Sequence, residues 1–451
     1  AGRARGAAGS RRPGVKHQVT TNAPARGTRD GGAVERWYAL GVLTLVYALN
    51  IADRFSVSTL LEPIRLDLRL TDSSVAWLTG TALALFYVTI GIPVAMLADR
   101  ANRRNIVAVS LAIWSAMTAL CGLAQNLLQF TLARFGVGIG EAGGTPPSTS
   151  IIADKFAARD RPMAMTVFAL GAPLGAWLGA SLAGAVAERY GWRTAFLVLG
   201  VPGVVIALLV FLTLREPRRG RFDVAGSPAA LLSLPAALRF LLAQRSALHL
   251  IAGGTVGTLW GWGLLWWTPA FLMRCHGLSV GEASAVLGPM HLVAGTLATI
   301  ATGLLVSPRL AADPRRVVWL LGGVLALVTI PSLLIYWTHS RPLAVAMLWI
   351  VVPAIYFFIG PTLGLLANVV PASMRAQTVA VLLFSANVAN LIIAPQGIGM
   401  LSDGLAPVLG SNAESLRWAL VALAPTGFWA AWHFLASART IRADQAAVSG
   451  P

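Results

Sequence analysis

The sequence predicts an all-α membrane protein of twelve transmembrane helices, arranged as two pseudo-symmetric six-helix bundles. Three observations predict it. Of the 451 residues, 56% are hydrophobic and only 12% charged, whereas soluble proteins carry about 25% charged residues. Twelve stretches approach or exceed the roughly 20 mostly apolar residues that cross a bilayer. The two halves of the chain also echo each other across a long polar segment.

The elements follow in order. Residues 1–36 form a basic tail whose composition reads as disordered. The tail lacks the apolar core of a secretory signal, and the twin arginine at 11–12 lacks the hydrophobic continuation of a Tat signal. Helices are predicted at 37–61, 74–98, 105–124, 127–151, 163–187, 194–214, 246–272, 282–306, 316–337, 343–369, 376–400 and 416–436. The bundles therefore span 37–214 and 246–437, with a linker at 215–245 and a second tail at 438–451. The linker reads either as plain basic chain or as holding a short amphipathic helix on the membrane surface. Across the linker, "FAARDRPMAMTVF" is echoed by "VVPASMRAQTVAV", "GAVAER" by "GMLSDG", and "WRTAFLVLG" by "LRWALVALA". Repeated halves are a transporter architecture, with the substrate site between them near the midplane.

Thirty-five Lys and Arg against 18 Asp and Glu give a net charge of +17. Most of these cations fall in the tails and in the loops on one side, which places both termini in the cytoplasm. Basic residues clustered between apolar helices need no nucleic acid to explain them. Lysine occurs only at Lys16 and Lys155, against abundant Arg, Ala and Gly; this usage suggests a GC-rich bacterial genome and hence an inner-membrane location. Cys121 and Cys275 suggest neither a disulfide nor a metal site. There is no phosphate-binding loop, nucleophile motif or redox motif. The expectation is a monomeric protein that is not an enzyme, takes no cofactor, and meets protons, membrane lipids and a small substrate.

Two apolar helices carry charges that need a reason. "LTLVYALNIADRFSV" holds Asp53 and Arg54, and "LARFGVGIGEAGG" holds Arg134 and Glu141. Arg134, Gly138 and Glu141 share one helix face by their spacing. Each ionisable residue inside a spanning helix costs ~2.5–3.5 kcal/mol on insertion scales and marks a functional site by default. At 1.5 Å per residue, Asp53 and Arg134 both lie roughly 10–12 Å below the outer surface and can meet, with Glu141 about 10 Å deeper. The four charges sum to zero. A carboxylate–arginine distance that changes with conformation would change proton affinity, the requirement for proton coupling. An arginine there would also suit a phosphate or carboxylate. A purely structural ion pair would look the same in sequence.

"AMLADRANRR" follows the second helix and is similar to the loop signature of the major facilitator superfamily, with Ala95 and Asn102 where that pattern has glycines. Asp99, Arg100, Arg103 and Arg104 fit it. A carboxylate there can dock on the N-terminus of the eleventh helix and latch the inner side shut. The matching site in the second half, "GLLVSPRLAADPRR", has Ser307 in place of the aspartate. In the fifth helix, "LGAPLGAWLGASLAG" places small residues at 171, 175, 179 and 183 and resembles the Gly-Pro-rich antiporter motif. Asn50, Trp260, Trp266, His291, Tyr356, Asn387 and Asn390 are candidate cavity-lining residues.

"LNIADRF", "LADRANRR", "RFGVGIGEAGGTPPSTSIIADKF", "VVPASMRAQTVAV" and "IAPQGIGMLSD" together resemble a Spinster-like member of the major facilitator superfamily, over nearly all of 37–437. The resemblance implies transport of an amphiphile such as a lysophospholipid or sphingolipid. It implies a proton-coupling role for Asp53, with Arg54, Arg134 and Glu141 beside it. Two alternatives stay open. One is an anion:cation symporter for sugar acids, whose family shares the Asp-Arg and Gly-Glu-Ala motifs. The other is an uncoupled scramblase or a membrane receptor.

Overall fold

A computed structural model describes residues 2, 32–98, 100–157, 160–219, 234–305, 313–371 and 374–449. The basic tail and residues 220–233 of the linker lie outside the described residues.

Twelve helices cross the molecule, and each of the twelve apolar stretches falls on one. They are α1 (Ala33–Asp67), α2 (Asp72–Ala98), α3 (Arg103–Cys121) and α4 (Leu127–Glu141, resuming as Thr145–Lys155). The run Arg161–Thr213 supplies α5 and α6, divided at Gly191, whose φ of 81° is open only to glycine without strain. The second bundle holds α7 (Arg245–His276), α8 (Val280–Thr302), α9 (Pro314–Trp337) and α10 (Arg341–Val369). It ends with α11 (Arg375–Val388, continuing to Ala394–Leu409) and α12 (Asn412–Ser437). Among the described residues nine helical runs are long and apolar enough to cross a membrane. Arg161–Thr213 counts once there but contains two crossings. The less apolar α4 and α7 fall below that standard, α4 because it is broken in the middle and carries Arg134 and Glu141.

A further helix, Leu234–Ala243, leads into α7, and another, Ile441–Ser449, follows α12. The first lies within the linker; its Leu241 is buried, while Leu238, Arg239 and Leu242 are exposed. Cys275 lies in the last turn of α7, and both cysteines are free.

Side chains that would aggregate in water cover the outer surface, for instance Val205, Leu208 and Leu212 on α6 and Leu327 on α9. Lipid is the solvent that makes such a surface stable. Inside each bundle the helices pack by removing side chains rather than by adding them. On α5, a Cβ at Gly175 would stand 2.2 Å from the Ala48 carbonyl oxygen of α1, and one at Gly179 would stand 2.2 Å from that of Ala52. The predicted stripe of small residues is thus the α1–α5 seam, and it holds the charged turn of α1 in place.

Among the described residues three helices carry a π-helical turn: Trp77–Thr81 in α2, Met290–Gly295 in α8 and Ala389–Ile393 in α11. Such turns are frequent at functional sites. Those of α2 and α11 pack against each other, where Gly80 meets the Leu391 carbonyl across the two bundles.

Gly179→Val is expected to cost about 1–3 kcal/mol of stability by overpacking the α1–α5 seam. Gly41→Ala, where a Cβ meets nothing within 4 Å, should leave stability intact. Thermal unfolding of the detergent-solubilised variants checks both; an unchanged Gly179→Val melting temperature would contradict the close approach.

Candidate functional site

The charged residues of α1 and α4 meet inside the first bundle as two adjacent ion pairs. Arg134 Nη1 donates to Asp53 Oδ2 at 2.7 Å, and Thr118 of α3 donates to Asp53 Oδ1 at 2.5 Å. Arg54 donates through Nε and Nη2 to Glu141 Oε2 at 3.0 and 2.7 Å. Asp53, Arg134 and Glu141 are buried. The Arg54 guanidinium lies over the Tyr87 ring of α2, 4.9 Å from its centroid.

The contact between Asp53 and Arg134 agrees with their matched depth. The contact between Arg54 and Glu141 requires a longer reach. The side chains of a helix tilt toward its own N-terminus, so Arg54 leans back along α1 and spans the extra depth to Glu141. The sequence reasoning missed Thr118 and Tyr87. Neither carries a charge, so only helix packing could identify them.

A cavity of about 780 Å³ lies between the bundles, lined by α1, α5 and α7 to α11. Its wall is mostly apolar and aromatic, with Tyr47, Phe55, Trp262, Trp266 and Tyr356 among the rings. Arg54 is the one charged side chain among its described lining residues. Of the predicted lining residues, Trp266, Tyr356, Asn387 and Asn390 reach it. Trp260, His291 and Asn50 do not. The cavity face of α7 runs through Thr258, Trp262 and Leu265; Trp260 lies on the other side and donates its indole N–H to Ser332 of α9 at 3.1 Å. His291 stands behind the wall, its Nδ1 2.9 Å from the Tyr356 hydroxyl and its ring against Phe55. Asn50 is buried off the stripe of α1 that carries Tyr47, Ile51, Arg54 and Ser58.

The two ends of the molecule differ. At the face opposite the start of α1 and the end of α12, ion pairs and caps cross between bundles. Arg274 of α7 binds Asp72 bidentately at 2.8 and 2.7 Å and Glu62 at 2.7 Å. The Asp403 carboxylate of α11 caps the start of α2, accepting from the Asp72 and Ser73 amides, both at 2.9 Å. Ser402 donates to Asp72 at 2.6 Å, and Glu188 of α5 accepts from the Gly281 amide of α8 at 2.9 Å. Nothing in the sequence around Arg274 points to Glu62 and Asp72, which lie more than 200 residues earlier in the chain.

At the basic face, where α1 begins and α12 ends, ion pairs among the described residues join helices of the same bundle. Lys155 binds Glu35, and Arg442 binds Asp313. Of the residues predicted for the latch, Arg103 and Arg104 are held within their own bundle. Arg103 holds Asp154 at 2.5 Å and Glu216 at 2.7 Å, both in its own bundle. The Arg104 amide donates to Glu216 and its guanidinium to Asn105, while Arg100 is exposed. Asp99 and Ser307 lie outside the described residues. The cross-bundle contacts close the cavity toward the opposite face, and its lining reaches Pro314 at the start of α9 and Asn368 near the end of α10, both at the basic face.

Residues 43–394 match the sequence profile of the Major Facilitator Superfamily. The chain belongs to this superfamily. An MFS-type efflux pump of Mycolicibacterium smegmatis is 34% identical over 90% of this chain and 94% of its own. The sphingosine-1-phosphate transporter SPNS2 of Danio rerio is 30% identical over 85% of this chain and 79% of its own. A crystal structure of a bacterial homologue of the human lysosomal transporter Spinster, inward-facing and unoccupied, superposes with a TM-score of 0.80. It shares 31% identity, covering 92% of this chain and 99% of that one. Within the superfamily this chain is Spinster-like, a transporter and not an enzyme.

Arg274→Ala removes the cross-bundle arginine from Glu62 and Asp72, which keep Arg65 and Ser402, a loss of about 1–3 kcal/mol from the state closed at the opposite face. Spin labels at Arg69 and Val408, exposed there in different bundles, should move apart in Arg274→Ala and Asp403→Asn. Distance distributions identical to those of the parent would show that these contacts do not hold that end closed.

Proposed function

We propose that the protein is a proton-coupled, alternating-access transporter of an amphiphilic anion, lysophospholipid-like or sphingolipid-like. It works as a monomer in the inner membrane, with its basic face cytoplasmic and the proton gradient as its energy source. The observation that carries the reading is Arg54, which lines the cavity and holds Glu141 at the same time. An aromatic and apolar wall suits a hydrocarbon chain, and a lone guanidinium suits a phosphate or carboxylate.

The geometry favours Glu141 over Asp53 as the proton carrier. Both Asp53 oxygens are held, by Arg134 and by Thr118. Glu141 is held only at Oε2, and its buried Oε1 has no hydrogen-bond partner among the described residues. An anion that draws Arg54 toward the cavity weakens the Arg54–Glu141 pair. Glu141 then takes up a proton, because a carboxylate buried without its counter-ion favours the neutral form. Substrate and proton thus meet at one arginine. The 34% identical efflux pump favours a second reading of the same cavity, export of amphiphilic compounds.

In reconstituted vesicles, an imposed pH gradient is expected to drive accumulation of a labelled lysophospholipid. Glu141→Gln should lower that accumulation at least tenfold and spare exchange. Asp53→Asn leaves Arg134 buried without its counter-ion and should show first as a stability loss of about 3–5 kcal/mol. Wild-type accumulation by Glu141→Gln would remove Glu141 as proton carrier. Uptake of a hexuronate but no lipid would convert the reading to sugar-acid symport, and gradient-independent lipid equilibration would convert it to scrambling.

A further inference from the structure

At the basic face, the first helix of the second bundle lies beside its last. There His249 of α7 and His433 of α12 face each other, with their Nδ1 atoms 3.0 Å apart. Trp432 packs edge-on against both rings, and Trp429 lies 5.8 Å from that of His433. The two tryptophans are more than half exposed, at 54% and 56%, and Leu248 and Leu435 are exposed on the same pair of helices. This is an apolar, lipid-facing surface that ends at the level of the membrane interface, where tryptophan concentrates.

Two arginines stand above it. Arg245 opens α7 and Arg439 follows α12; both are exposed, and both lie within electrostatic reach of His249. Among the described residues neither has a hydrogen bond or an ion pair through its side chain. That sets them apart from Arg54, Arg103, Arg134, Arg274 and Arg442, each of which holds a carboxylate. Asp444, the carboxylate nearby in sequence, caps the Ser246 amide at 3.0 Å. The imidazole pair adds a donor. If both rings are neutral, the one that accepts at Nδ1 carries its proton on Nε2 and has that N–H to give.

We propose that this surface binds the phosphate of an anionic phospholipid from the leaflet at the basic face, with the acyl chains lying along Leu248, Trp432 and Leu435. Two uncompensated guanidiniums at headgroup depth attract an anion and hydrogen-bond phosphate oxygens at short range. The lipid bridges α7 to α12 and so ties together the two ends of the second bundle. This site is separate from the central cavity, and none of its residues lines that cavity.

The test is thermal unfolding of the full chain in neutral detergent, titrated with phosphatidylglycerol, with phosphatidylcholine, or with inorganic phosphate. The parent is expected to be stabilised by phosphatidylglycerol alone. Arg245→Gln/Arg439→Gln should unfold at the parental temperature in phosphatidylcholine yet need at least about tenfold more phosphatidylglycerol for the same shift. Arg442→Gln, which removes a paired arginine from the same face, should respond as the parent does. Native mass spectrometry supplies a second readout, with phosphatidylglycerol retained by the parent and lost from the double variant. The proposal is overturned if the double variant keeps the full shift and retains the lipid. Equal stabilisation by phosphatidylcholine or by inorganic phosphate overturns it too.

Discussion

The structure depends on burying four charges in one bundle without leaving any of them alone. Asp53 with Arg134 and Arg54 with Glu141 form two pairs that sum to zero, which removes most of the cost of placing ions in a membrane interior. The pairs constrain their surroundings. α1 must run close to α3 and α4 at this depth, and the glycines of α5 let α1 settle there. A misplacement of an ångström would break short charge-assisted bonds inside a low-dielectric bundle, where they cannot be replaced by water. The first bundle is therefore rigid around α1, and the cavity is framed mainly by the second bundle, from α7 to α11.

The two ends of the molecule apply the same kind of interaction to different purposes. At the sealed face, Arg274 and Asp403 join one bundle to the other through groups that are charged or sit at a helix start. At the open face, Arg103, Lys155 and Arg442 join helices within a bundle. Contacts within a bundle survive a rocking motion of one bundle against the other, whereas contacts across it must break. In such a motion the contacts of Arg274 and Asp403 are those that would have to be exchanged, and those of Arg103, Lys155 and Arg442 those that would be kept.

Much of this was legible in the sequence because membrane physics leaves few options. Twelve apolar stretches, an internal repeat and antiparallel neighbours were enough to bring Asp53 opposite Arg134 by counting residues from the surface. The same counting placed Glu141 too deep for α1, because it followed backbone positions and ignored the tilt and length of the Arg54 side chain. The aromatic wall was harder. "GTLWGWGLLWWTPAF" has four tryptophans within eight residues, and Trp260 and Trp262, two positions apart, point to nearly opposite sides of the helix. The cross-bundle contacts of Glu62, Asp72, Arg274 and Asp403 were invisible. Nothing local distinguishes an interfacial arginine that marks topology from one that bridges two bundles.

The position of Arg54 sets how coupling must work if the proposed reading holds. A residue wholly inside the first bundle, like Arg134, is insulated from the cavity and can only fix Asp53. A residue wholly on the cavity wall would bind an anion without reporting it to any carboxylate. Arg54 does both, with its side chain 14% exposed while that of Glu141 is fully buried. Its guanidinium has five donors; the two N–H groups that face Glu141 leave others free to take a ligand, so binding begins before the internal pair is lost. The exchange of one anionic partner for another is then continuous, and no state leaves the guanidinium without a partner. A lysine at this position, a point charge without that fork, would have to release Glu141 before it could hold a substrate.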